Sequence, residues 1–406
     1  MITKQDTERL RELAKRYHEI AASPKNLATR QEWVRFNTDK EGTPKVIVDE
    51  IPWSEMDIDG ELQNKCEGDF AKTLETFFLR NLYIHKHLTD DHVFDDYIKM
   101  AIPIVGCDYG ISAQTIVEGA QANRFADLLE EEKDIEKIRF QPISVLKEEY
   151  EKYAGIYEDI FHDILPIRHC GRSVLFNAWD LLETWHGVEN CLIDMVARPE
   201  FLHAIMRRIT DVTHHMIDEL EKLRLLEGHQ ESFCYSPLYC EWDVSSEEGT
   251  GKNAWTFGAA QIFSSASKDM HEEFELPYAK EIFARFRNVY YGCCEPLHDR
   301  MDMVDKMPNI RKVSISPFAD ARIAAENIGK KYIMSRKPTP AYVAMPSMNW
   351  NIVEAQIKDT LEACAENGVA VEFILKDITT VCHQPQRLWE WSRRAKRLVD
   401  EFEGKG

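Results

Sequence analysis

The sequence predicts an α/β fold, a (β/α)8 TIM barrel preceded by an N-terminal helical extension. Three observations lead there. From about residue 100, short continuous apolar runs alternate with long amphipathic stretches, the pattern of parallel strands covered by helices. The alternation runs to about seven or eight units, which suits a closed barrel better than an open doubly wound sheet. No G-x-G-x-x-G turn follows an early strand and no Walker A loop is present, so the nucleotide-binding α/β folds lack their marker.

The elements follow in chain order. Leu10, Leu13, Tyr17 and Ile20 recur at helical spacing over residues 4–22, and Ser23-Pro24 breaks the run. A second helical stretch covers residues 70–87. Residues 1–98 read as a helical extension and residues 99–406 as the barrel; the extension could also serve a homodimer contact. AIPIVG (101–106) reads as a strand, residues 145–165 as a helix, and SVLFNA (173–178) as a strand. Over residues 199–226 an opening Pro199 and one stripe of Phe201, Ile205, Ile209, Val212, Met216, Leu220 and Leu223 give the clearest helix of the chain. Residues 232–235 read as a strand with a long helical stretch after it, to about Phe286. NVYYG (288–292), KVSIS (312–316), KYIM (331–334) and VEFIL (371–375) read as strands, each leading into a helix.

Composition narrows the function classes. With 70 acidic against 50 basic residues the formal net charge is -20, which disfavours nucleic acid and anionic membrane surfaces as partners. The N-terminus is charged throughout, with no apolar core of a signal peptide, and no apolar run reaches about 18 residues. The expectation is a cytoplasmic protein. Its ten cysteines are then thiols or metal ligands by default.

In such a barrel the chemistry sits on the loops that follow the strands. NVYYG runs into Cys293-Cys294-Glu295, with His298 just beyond. Thiols, a carboxylate and an imidazole in so short a span match the donor set of zinc, so Cys293, Cys294, Glu295 and His298 are the candidate metal ligands. The simpler reading of adjacent cysteines is a pair of small apolar residues. Glu295, Lys376 and Asp377 are the candidate catalytic residues, the latter two at the end of VEFIL. Asp108, Tyr235, Arg336 and Lys337 stand at other predicted strand ends and are the candidate substrate contacts; Arg336 and Lys337 suit an anionic group. Cys382-His383 is a weaker ligand pair.

Two segments carry a family resemblance. WHGVENCLIDMVARPEFLHAIMRRITD (185–211) holds Gly187, Glu189, Asp194, Pro199 and Glu200 in the order of a uroporphyrinogen decarboxylase superfamily motif. EFELPYAKEIF resembles that superfamily's F-x-x-P-Y helix through Phe274, Pro277 and Tyr278. The resemblance spans roughly residues 100–402 and implies the same barrel. The decarboxylase branch carries an N-terminal Arg-rich signature; Arg30 and Arg35 in RQEWVRF are not it. The corrinoid-dependent methyltransferase branch holds zinc with His-x-Cys at one strand end and a later Cys. Here Tyr291 stands at the His position, Cys293 at the Cys, and the late position falls near Lys376-Asp377 or Cys382. The resemblance therefore implies a zinc-dependent methyltransferase. It would move a methyl group from a small methylated compound, such as a methoxylated aromatic, to a corrinoid carried by a partner protein. The alternative is a metal-free decarboxylase-like lyase acting on a carboxylated small molecule.

Overall fold

A six-stranded parallel sheet organises the molecule. In the computed structural model residues 2–118, 122–227, 232–241 and 248–404 are described. The strands are β1 (Lys45–Val48), β2 (Trp255–Gly258), β3 (Asn288–Tyr291), β4 (Ile310–Ile315), β5 (Ile333–Arg336) and β6 (Val371–Leu375). Their spatial order is β1-β6-β5-β4-β3-β2, and every neighbouring pair is parallel. The first strand thus lies beside the last. At the other edge a single parallel bridge joins Gly258 to Phe176. Among the described residues no pairing closes the sheet from β2 back to β1, so the sheet is open where the sequence predicts a closed barrel.

Burial on both faces explains why the strands are continuous apolar runs. On the outer face Val46, Val48, Val289, Val313, Met334, Val371 and Phe373 pack against the covering helices in the main core. On the inner face Ile47, Ile333 and Ile374 meet Trp33 and Phe36, which come from helix Pro24–Asp39. That helix is fixed by Trp33 Nε1 donating to the Asp91 carbonyl at 2.7 Å and by Asn37 Nδ2 donating to the Pro237 and Tyr239 carbonyls. Beneath it Lys312 and Glu372, both fully buried, form an ion pair of 2.8 Å.

Several expectations are redrawn. Residues 45–48 belong to the sheet, so residues 1–98 are not a helical appendage alone. The stretch before Phe286 is not one long helix. It contains β2, 3-10 turns and the short helices Lys268–Phe274 and Leu276–Phe283. The predicted strand 173–178 is reduced to bridges at Arg172 and Phe176, and a helix starts at Ala178. The predicted strand 101–106 is shifted to Ile98–Ala101 and Ile104–Val105. The long helix is Pro199–Leu223, with its apolar stripe buried as far as Leu220, while Leu223, in the last turn, is exposed. Among the described residues no helix is long and apolar enough to cross a membrane.

Three of the motif residues of 185–211, Gly187, Asp194 and Pro199, have structural roles. His186 is fully buried between Asp127 and Asp194, at 2.9 Å from each, and Arg198 closes on Asp194. Gly187 has φ +85 at the junction of helices Ala178–His186 and Val188–Ala197. Pro199 occupies the first turn of the helix after Arg198, where its missing N–H costs nothing.

Candidate functional site

Because the strands are parallel, their C-terminal ends open on one side of the sheet. Gly292 ends β3 with φ +91, and a side chain there would meet Leu297 at 2.5 Å; only glycine takes this turn without strain. The chain then doubles back through Cys293 and Cys294, whose sulfurs lie 3.6 Å apart. Glu295 holds the turn: Cys293 N donates to Oε2 at 2.9 Å and Ala260 N to Oε1 at 3.3 Å. Its carboxylate is 1% exposed and is committed to backbone amides. Glu295 is therefore placed to position the thiols.

A third thiol joins them. Cys234 lies on the short turn between Ser232–Phe233 and Ser236–Pro237, which pair antiparallel. Its Sγ reaches the Gly292 carbonyl at 4.0 Å, and contact with Cys293 pulls the Cys234 thiol down, with Lys337 and Lys376 also favouring its thiolate. The same contact pushes Cys293 up to about 12. Cys234 and Tyr235 both sit in the left-handed region, at φ +43 and +63. Two consecutive non-glycine residues there store strain, a feature that clusters at functional sites. No spacing or motif marks Cys234 in the sequence; only its place before the predicted site residue Tyr235 could have drawn notice.

The lysines separate into distinct roles. Strand alternation sends Arg336 and Lys337 to opposite faces. Arg336 donates to the carbonyls of Ile315, Ser316 and Ala319, so it braces the sheet's outer face. Lys337, 1% exposed, points inward and donates to Tyr290 Oη at 2.6 Å and Ser335 Oγ at 2.5 Å. Burial pushes its pKa down to about 8. Lys376 reaches Asp377 at 2.5 Å, and its Nζ lies 6.0 Å from the Tyr235 ring centre. Glu50 accepts from Asp377 N at 2.8 Å. Glu50 and Asp377 are also left-handed, at φ +46 and +58. The ends of β1, β3, β5 and β6, with the turn that carries Cys234 and Tyr235, thus bring Glu50, three thiols, Lys337, Lys376 and Asp377 to one region.

Other candidates fall elsewhere. Asp108 is exposed and accepts from Gly110 N at 2.7 Å within its own loop. His298 makes no hydrogen bond to the cysteines, and its buried Nδ1 has no partner among the described residues. Cys382 bonds to the Ala344 and Met345 carbonyls, and Glu55 anchors Thr380, Val381 and His383. Tyr291 faces the helices: Arg300 donates to His271 Nδ1, so His271 Nε2–H donates to Tyr291 Oη at 2.9 Å. Among the described residues no group of three or more His, Cys, Asp or Glu side chains is arranged to hold a metal ion. The set Cys293, Cys294, Glu295 and His298 is not assembled as one, because Glu295 turns to the backbone.

Behind the turn lies Glu275, 1% exposed, with neither carboxyl oxygen hydrogen-bonded. Burial, then the charges of Glu295 and Asp180, raise its pKa well above that of an ordinary glutamate. A carboxyl raised in the fold stabilises it fully only below the unfolded pKa of about 4.5. That stability is lost as pH rises. Glu275→Gln is expected to recover about 1–3 kcal/mol at pH 8 and to flatten the decline from pH 5, read as urea midpoints at the two pH values.

No family model matches the sequence, and no curated protein matches it. Among solved structures, a methyltransferase from Methanosarcina mazei is similar at a TM-score of 0.47 and 10% identity; the match covers 92% of this chain and 99% of that one.

Proposed function

We propose that this protein is a methyltransferase that takes a methyl group from a small methylated compound and passes it to a corrinoid held by a partner protein. The observation that carries the reading is the meeting of Cys234, Cys293 and Cys294 with Lys337 and Lys376 at the C-terminal ends of parallel strands. Strand ends are where substrates dock in such folds, and the thiolate that the two lysines favour at Cys234 is a strong nucleophile toward carbon. The resemblance over residues 185–211 points the same way. We place the sheet as the described arc of a (β/α)8 barrel, because its first and last strands are neighbours.

In this reading Tyr235 and Lys376 border the substrate, and Glu295 fixes the cysteine turn. Lys337, with a pKa near 8, gives a proton to the oxygen that loses the methyl group. Zinc, which the resemblance implies, would polarise the donor when bound. Cys293 and Cys294 are its natural ligands, but the described side chains do not supply a third. The test is methylation of free cob(I)alamin by purified protein from a panel of methoxylated aromatics, with elemental analysis of the same sample. Methyl transfer lost in a Cys293→Ser/Cys294→Ser double variant supports the reading; inactivity of the native protein with every donor, after zinc addition, sinks it.

A second reading has one observation in its favour. Lys337 and Lys376 are two ammonium groups facing the same region, and they suit a carboxylated substrate. A metal-free lyase would release CO2 from an aromatic or pyrrolic acid and would be indifferent to chelators.

A further inference from the structure

Away from the thiols, a cleft of about 390 Å³ opens between the loop at Cys107–Tyr109, the segment Gly171–Asn177, and two helices that contribute Leu181 and Met216. That volume suits a small organic ligand. One wall is apolar: Val174, Leu181 and Met216, with Leu175 36% exposed. Tyr109 adds its ring, its hydroxyl already bonded to Thr213 at 3.0 Å.

Two polar groups at the cleft lack the partners their neighbours have. Arg172 lines it, exposed, and its guanidinium makes no hydrogen bond or ion pair among the described residues. Two other arginines of this region are committed, Arg168 to Glu227 at 2.8 Å and Arg208 to the Ile138 carbonyl at 2.8 Å. Arg172 therefore keeps its guanidinium available to a ligand at the mouth of the cleft. Asn177 is the second. It sits at the N-cap of helix Ala178–His186, where asparagine ordinarily accepts a backbone N–H, yet it makes no such bond. Its amide is left to the cleft.

From this pairing we propose that the cleft binds a small monocarboxylate with an apolar or aromatic body. The carboxylate would lie on the Arg172 guanidinium with Asn177 beside it, and the body against Leu175, Leu181 and Met216. A lone guanidinium matches a single carboxylate in charge and fork geometry. A phosphate dianion would be left half-compensated on so acidic a protein.

Titration calorimetry on the full-length protein tests this with benzoate as probe and without methyl donor or metal. Benzamide serves as the neutral isostere and inorganic phosphate as the other anion. The expected result is saturable benzoate binding that Arg172→Gln weakens at least tenfold and Asn177→Ala weakens less. Benzamide and phosphate should bind at least tenfold more weakly than benzoate. Arg172 is exposed, so the variant should keep the native melting temperature, and that is checked on the same sample. Equal benzoate affinity in native protein and Arg172→Gln would overturn the proposal, as would benzamide or phosphate binding as tightly as benzoate. Because no turnover is read, the outcome is independent of the methyl-transfer reading.

Discussion

Lys312→Met is expected to destabilise the protein by about 3–5 kcal/mol, because it strands a buried carboxylate. Lys312 and Glu372 are both fully buried and 2.8 Å apart. Lys312 Nζ also donates to Ser236 Oγ at 2.7 Å and to the Pro237 carbonyl at 2.9 Å. Its Nζ further lies 5.1 Å from the Trp33 ring centre. One ammonium therefore ties β4 to β6 and to the turn that carries Cys234. Its loss should lower the urea midpoint sharply and disturb the thiol site together with the sheet. Lys312→Met/Glu372→Leu removes both charges and should recover most of the stability. Recovery of stability without methyl transfer would assign the pair a part in holding the Cys234 turn. An unchanged midpoint for Lys312→Met alone would refute the account.

Lys337→Met should behave in the opposite way. Its pKa is pushed down to about 8 by burial, against about 10.5 in an unfolded chain. A group depressed in the fold gives its full stability above the unfolded pKa, and that stability falls as pH drops toward the folded one. Below about pH 8 the native state forgoes about 3 kcal/mol by this route. Replacement with methionine removes that cost, offset by about 1 kcal/mol for each hydrogen bond lost with Tyr290 and Ser335. The variant should be at least as stable as native protein at pH 7. Its stability should also lack the rise that the native protein shows from pH 8 to 10.5. Methyl transfer should fall about 100-fold or more, the usual worth of a positioned acid. A variant that unfolds at pH 7 would place Lys337 with Lys312 as a structural cation; one that stays stable and fully active would remove it from the chemistry.

The sheet was largely legible where strands are apolar on both faces. VEFIL is β6 to the residue, and NVYYG contains β3. β2 escaped because its four residues sit between a 3-10 turn and Ala259-Ala260, and the apolar residues beyond it have helical spacing. The cysteine pair could be found because a strand end announces it. Cys234 could not, since tertiary packing alone brings it to Cys293. The difference between Arg336 and Lys337 was hidden for a related reason. It depends on which face of β5 is inner, and β1 and helix Pro24–Asp39 decide that from more than 280 residues away in the sequence. Glu295 illustrates a further limit: the sequence shows a carboxylate beside two thiols, but not that backbone amides claim it.

The pairing of Lys45 with Glu372 has a consequence for how the chain is made. β1 leaves the ribosome early and its partner β6 almost last. Until β6 appears, β1 has no hydrogen-bonding neighbour among the described strands, and the aromatic side chains of helix Pro24–Asp39 lack most of the surface they cover. Such distant pairing slows folding and leaves apolar edges uncovered for longer. A nascent or prematurely terminated chain lacking residues 371–375 would carry two orphaned strand edges, on β1 and β5. Fragments of this protein should therefore recruit holdase chaperones that the finished chain no longer needs.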